Sequence, residues 1–287
     1  MPNKRSRDRQ LAKLAQRRAE ERHRQHRKRL IVIAVVLGVV LVGGGVVAIA
    51  ALTGGTPAAR ATATPKPTST PSPVAFKKTG TVKPNVKPPK KVACGGSVPP
   101  AAGGPKPQWS TVPKNSIDPK KTYEATMVTS CGTITMKLAP KDAPIAVNNF
   151  VFLAQHHFYD GTWFHRIAKG FVIQGGDPAG DGSGGPGYRF TTETNPTTKF
   201  ADASGLLAYA NGGPDTNGSQ FFVTLGKQPN LDPPNGPYTI FGKVTGGLAA
   251  LNQIANVPTT ASPSNPNEQS QPLQAVYVER VTISVSK

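Results

Sequence analysis

Acidic residues are almost absent from the first 121 positions, which hold four of them against 24 lysines and arginines. Residues 122–287 carry 11 acidic and 10 basic groups, so the formal charge of +19 sits almost wholly ahead of them. Phosphate contacts need clustered Lys and Arg, so no nucleic-acid partner is expected for the C-terminal part. Cysteine is scarce too, with Cys94 and Cys131 the only two. No Cys-x-x-Cys occurs, and two thiols without a nearby histidine do not make a zinc site. His156-His157 lacks spaced acidic partners, so no metal is expected. The Gly-rich run from Gly175 to Gly185 lacks the Lys-Ser/Thr of a phosphate loop, and turn geometry explains it; no cofactor is expected.

Charge of either sign is also missing from residues 30–52. Twenty-three apolar or neutral residues can cross a hydrocarbon layer of roughly 30 Å. The stretch is longer than the core of a cleavable leader, and it reads as an uncleaved signal-anchor helix in contact with membrane lipid. Cleavage near Ala48-Ile49-Ala50 is the competing reading. Residues 1–29, with 12 basic groups, form a cytoplasmic topology signal under the positive-inside rule. Everything beyond residue 52 then lies outside the cell membrane, in a single-pass arrangement.

Residues 53–121 hold 14 of the 29 prolines and show no apolar periodicity. They read as a disordered, semi-extended linker. In an exported compartment two thiols in one chain usually pair, so a Cys94–Cys131 disulfide is expected, with two free thiols as the alternative.

From Thr122 the pattern changes. "TYEATMVTS" and "GTITMKLA" read as a hairpin. "APIAVNNFVFLAQHHF" has helical periodicity, with Pro144 in its first turn and Asp142 as N-cap. Short strands are expected near 162–166, 171–174, 205–210, 220–225 and 239–244. A second helix is expected over about 247–256, and a last strand over 274–285 with a register change near Arg280. Residues 256–272 read as a polar surface loop. Many short strands with two helices indicate a mainly β domain, 122–287, built as a closed barrel with helices at its ends.

Two strings in this domain carry the functional reading: "FHRIAKGFVIQGGDP" at Phe164–Pro178 and "YANGGPDTNGSQFFVTL" at Tyr209–Leu225. With "AP-x-A-V-x-N-F" at Ala143–Phe150, "GDGSGGPGYRF" and "FGKV", they resemble the cyclophilin family of peptidyl-prolyl isomerases over essentially 123–285. The resemblance implies a closed eight-stranded antiparallel barrel capped by two α-helices, acting as a monomeric domain. It also implies cis-trans isomerisation of Xaa-Pro bonds in polypeptide substrates. Such catalysis breaks no bond and needs no nucleophile, metal or general base. It needs a pocket for the proline ring and donors aimed at the twisting imide.

Arg166 is the expected catalytic residue, because its planar, permanently charged fork can donate to both the carbonyl oxygen and the pyramidalising nitrogen. By resemblance, Phe171, Val172, Phe222 and Leu231 line the proline pocket; at the substrate-binding position where many members have His, this chain has Tyr238, which keeps an aromatic face with a hydroxyl. Gln174 and Asn211 bond the substrate backbone and position Arg166. Ala210, Gly212 and Gln220 line the groove for residues before the proline, and His165 contacts substrate or buttresses its strand. Besides Tyr238, a second position departs: Asn230 replaces a groove Trp, so cyclosporin sensitivity is expected to be weak, and an insertion, "PPNG" at Pro233–Gly236, lengthens that loop at the pocket rim. A non-catalytic proline-peptide-binding module is the alternative function.

Overall fold

The computed structural model describes residues 76–287 except 195, 196 and 235, and these belong to one compact unit. The basic segment 1–29, the apolar stretch 30–52 and linker residues 53–75 lie outside the described residues. Among the described residues no helix is long and apolar enough to cross a membrane.

The expected hairpin forms from β3 (Thr122–Thr129) and β4 (Gly132–Leu138), paired in register from Glu124–Lys137 to Thr129–Gly132. Alternation turns Tyr123, Ala125, Met127, Ile134, Met136 and Leu138 into the core, as period-two side-chain placement requires. Helix α1 (Pro144–Gln155) follows, with Ala146, Val147, Phe150, Val151, Leu153 and Ala154 buried. Asp142 does not cap it. Its N-terminal N–H groups at Ile145 and Ala146 are met instead by the carboxylate of Glu193, at 3.0 and 2.8 Å. Burial pushes the Glu193 carboxyl up, against the pull of those two N–H groups.

Short strands then complete the sheet: β5 (Arg166–Ala168), β6 (Val172–Gly175), β7 (Leu206–Tyr209), β8 (Phe221–Thr224) and β9 (Ile240–Gly246). Helix α2 (Leu248–Ala255) starts at Gly247, whose φ is +77° and where a Cβ would lie 2.0 Å from the Thr133 carbonyl oxygen. Only glycine fits that corner. The last strand, β12 (Val278–Ser286), pairs with β3 and shifts register between Val278 and Arg280.

The eight strands run in the order β12-β3-β4-β9-β7-β8-β6-β5, with every pair antiparallel. The expected closed barrel is therefore a curled half-barrel. Among the described residues no ladder joins β12 to β5; the chain just ahead of β5 meets β12 instead, through the bridge Trp163–Tyr277 and hydrogen bonds from Gly161 N–H to the Val278 carbonyl at 2.7 Å and from Val278 N–H to the Thr162 carbonyl at 2.8 Å. Strand β5 has three residues and turns away at Lys169-Gly170, too short an edge for the nine residues of β12.

The larger departure lies ahead of the sheet. Residues 76–121, expected as linker, fold onto the domain. They form a hairpin of β1 (Lys78–Val82) and β2 (Lys106–Trp109). Trp109 is buried and packs edge-on against Phe152 of α1, with ring centroids 4.8 Å apart. Cys94 and Cys131 are joined in a disulfide, and Ala93 N–H donates to the Ala275 carbonyl at 2.9 Å. Lys106, the first residue of β2, donates its ammonium to the carbonyls of Asp160 and Ala101; burial pushes its pKa down, and Asp160 pulls it up. Asn148 of α1 takes Ser116 N–H and Oγ on one side of its amide and gives to the Pro113 and Lys114 carbonyls on the other.

Residues 256–272 are likewise not a plain loop. They hold a second hairpin of β10 (Thr259–Ala261) and β11 (Gln269–Pro272).

Candidate active site

The middle of the sheet is apolar on both faces. Ile167, Ile173, Leu207, Tyr209, Phe221 and Val223 enter the main core. Their alternates Val172, Leu206, Ala208 and Phe222 join a separate cluster with Phe200, Leu231 and Ile240 on the other face. Phe171, Ala210 and Tyr238 pack against this second cluster and are half-buried. The expected pocket residues Phe171, Val172, Phe222, Leu231 and Tyr238 are thus brought together. Phe222 meets Tyr238 edge-on at 5.4 Å and stacks on Phe200 at 5.9 Å.

Strand register aligns the polar groups beside this floor. Arg166 of β5 pairs with Gln174 of β6, which pairs with Phe222 of β8, which pairs with Ala208 of β7. Directly paired residues share a face, so Arg166, Gln174 and Phe222 stand in one row across three strands. The Arg166 guanidinium carbon lies 5.4 Å from the centroid of the Phe171 ring. Gln174 accepts from Arg166 Nη1 at 3.4 Å and passes its amide to Gln220 at 3.1 Å. Gln220 in turn donates to the Gly182 and Gly184 carbonyls, both at 2.9 Å. A groove of about 970 Å³ continues from there, lined by Gln174, Ala210, Asn211, Gly212 and Gln220 among others.

Two expected residues sit differently. The Asn211 side chain donates to Asn217 and to the Pro237 carbonyl, at 3.0 and 2.9 Å, and makes no contact with Arg166. Its amide shapes the loop, and only Gln174 of the pair holds the arginine. His165 is not among the residues lining the groove, and its Nδ1 is buried without a hydrogen-bond partner. Burial pushes its pKa down, Asp177 pulls it up, and Arg166 lowers it further.

Three contributors escaped sequence reasoning. Glu268, just before β11, accepts from Arg166 Nε at 3.0 Å and from Nη2 at 2.5 Å, through the same carboxylate oxygen. Its one sequence signal is that it is the lone acid between Asp232 and Glu279. Phe200 gave no signal, being an isolated aromatic in a polar stretch. Gln108 came from a segment read as linker.

Glu268 and Gln174 together leave the guanidinium little freedom to rotate, so Glu268 is a positioning residue. Glu268→Gln removes a charge-assisted bond, and kcat is expected to fall about 10-fold with KM nearly unchanged. Steady-state kinetics on an Ala-Pro peptide check this; a rise in KM alone would deny Glu268 that role.

The chain is similar to known proteins. The sequence model of the family described as cyclophilin type peptidyl-prolyl cis-trans isomerase/CLD matches residues 125–283. Human peptidyl-prolyl cis-trans isomerase-like 1 is 44% identical over 172 residues, covering 59% of this chain and 95% of the relative. Peptidyl-prolyl cis-trans isomerase A of Mycobacterium tuberculosis is 43% identical over 181 residues, covering 58% and 94%. A solved Cryptosporidium parvum isomerase of the cyclophilin type, obtained in the presence of the dipeptide Ala-Pro, superposes with a TM-score of 0.51 at 36% identity, covering 57% of this chain and 99% of that one.

Proposed function

The chain belongs to the cyclophilin-type peptidyl-prolyl cis-trans isomerases, and from that premise we propose how and where it works. Rotation about an Xaa-Pro bond must cross a barrier of about 18–20 kcal/mol set by amide resonance. The proline ring enters the apolar floor of Phe171, Phe222 and Leu231. As the imide twists, its nitrogen pyramidalises and its lone pair leaves resonance with the carbonyl and localises on the nitrogen. Arg166 donates to that nitrogen and to the neighbouring carbonyl oxygen, lowering the barrier without any covalent step. The observation that carries this reading is the placement of Arg166 over Phe171, with Gln174 and Glu268 fixing its plane. The testing experiment is magnetisation exchange between cis and trans Ala-Pro-Phe peptide at catalytic protein concentration.

The substrates are proline-containing polypeptides, and the setting we propose is the outer face of a cell membrane. The support is the 23-residue uncharged stretch with 12 basic residues ahead of it. Clients would then be exported or wall-associated proteins still folding. In cells carrying a C-terminally tagged full chain, the tag is expected in the membrane fraction and open to protease added outside. A tag released to the medium, or shielded until lysis, would overturn the anchored topology.

A further inference from the structure

Residues 76–121 lie outside the region that the family model matches, yet they reach the groove. Gln108 of β2 lines it directly and donates its amide to the Gly185 carbonyl at 3.3 Å. Trp109 N–H donates to the Pro186 carbonyl at 2.9 Å. Further along the arm, Asn85 bonds the Ala179 carbonyl through its N–H at 2.8 Å and the Asp181 carboxylate through its side chain at 3.0 Å. The wall from Gly182 to Gly187 contains four glycines in six residues and has little stiffness of its own. It is held from inside by Gln220 and from outside by the arm. One hydrogen-bonded relay therefore runs from Arg166 through Gln174 and Gln220 to this wall and then to Gln108.

The residues that line the groove carry charge of one sign only. None of its lining residues is acidic, and its single charge is Arg189, which is exposed and has no ion-pair partner among the described residues. The amides of Gln108, Gln174, Gln220 and Asn211 surround it.

We propose that the arm is a substrate-binding element, which with Arg189 forms a subsite for an acidic side chain two or three residues before the proline. This rests on Arg166 and the apolar floor marking where the proline sits. A carboxylate there gains a charge-assisted hydrogen bond from Arg189 and an amide donor from Gln108. A lysine at the same place meets a like charge, and the nearest acid of the wall, Asp181, is already taken by Ser183 and Asn85.

The test uses the full chain and N-acetylated peptides Xaa-Ala-Pro-Phe and Xaa-Ala-Ala-Pro-Phe, with Glu, Gln or Lys as Xaa. The kcat/KM for Glu is expected to exceed that for Lys by about 5-fold in one series, the size of a partly screened charged hydrogen bond. The ratio should fall towards one in Gln108→Ala and in Arg189→Gln, whatever either change does to absolute rates. Equal Glu and Lys values in the unaltered protein would overturn the subsite. A ratio lost in Arg189→Gln but kept in Gln108→Ala would overturn the part given to the arm. Exchange in none of the peptides would overturn the isomerase reading itself, a different failure.

Discussion

Arg166→Ala is expected to lower kcat/KM by about 10²–10³-fold, the usual loss when one preorganised donor to a developing charge is removed. The loss should fall mainly on kcat. The apolar floor that binds the proline ring does not include the guanidinium, and Phe222, Leu231 and Phe200 stay in place without it. Arg166 contributes a partly exposed side chain to an ion pair with Glu268, and such pairs add little to stability. The melting temperature should therefore stay close to that of the unaltered protein. Arg166→Lys separates charge from shape: a lysine restores the charge but lacks the planar fork held at both edges by Gln174 and Glu268. It should recover little. Exchange spectroscopy on Ala-Pro-Phe peptides gives both numbers. Near-normal turnover in Arg166→Ala would move the catalytic donor elsewhere in the groove.

The largest loss of stability is expected from the double substitution Cys94→Ser with Cys131→Ser. The bridge closes a loop of sequence separation 37, and in the chain-entropy description its removal frees the unfolded chain by about 3–4 kcal/mol. For a domain of this size that corresponds to a fall in Tm of roughly 8–14 °C. The loop it closes is most of the arm, so the two serines should also make residues 76–121 the first site of proteolysis. A fall of less than about 1 kcal/mol would mean that the buried Trp109, the Lys106 ammonium and the Asn148 clamp hold the arm unaided.

The sequence disclosed what depends on local periodicity. The β3–β4 hairpin and both helices are alternating or helical runs whose apolar residues face the core that the pattern implies, and the central strands β7 and β8 are short continuous apolar runs buried on both faces. The register shift near Arg280 was legible because two apolar alternations in one strand are out of phase there. The candidate site residues Arg166, Gln174 and Phe222 sit in motifs with fixed spacing on adjacent strands, and Phe171 in the turn between β5 and β6. The arm was not legible. It buries isolated residues such as Ala93, Trp109 and Ile117 against a surface formed elsewhere in the chain, so no window of it has a period. Its prolines, which suggested disorder, suit an extended segment held by side-chain amides and tertiary contacts. Closure of the barrel failed for another reason: strand count is readable from the sequence, but edge length is decided by where β5 turns away. Glu268 was hidden because its role is set by a partner 102 positions away.

The two apolar faces of the central sheet separate two kinds of inheritance along a single stretch of chain. In β6, Ile173 belongs to the interior, while Val172 and Gln174 belong to the substrate side. Every second codon is thus answerable to folding and the ones between to recognition. Changes on the second face, at Val172, Phe222 or Ala208, are expected to act on the cluster beside Arg166 and to leave the main core untouched. A single inserted codon within β6 would instead exchange the two sets and forfeit both.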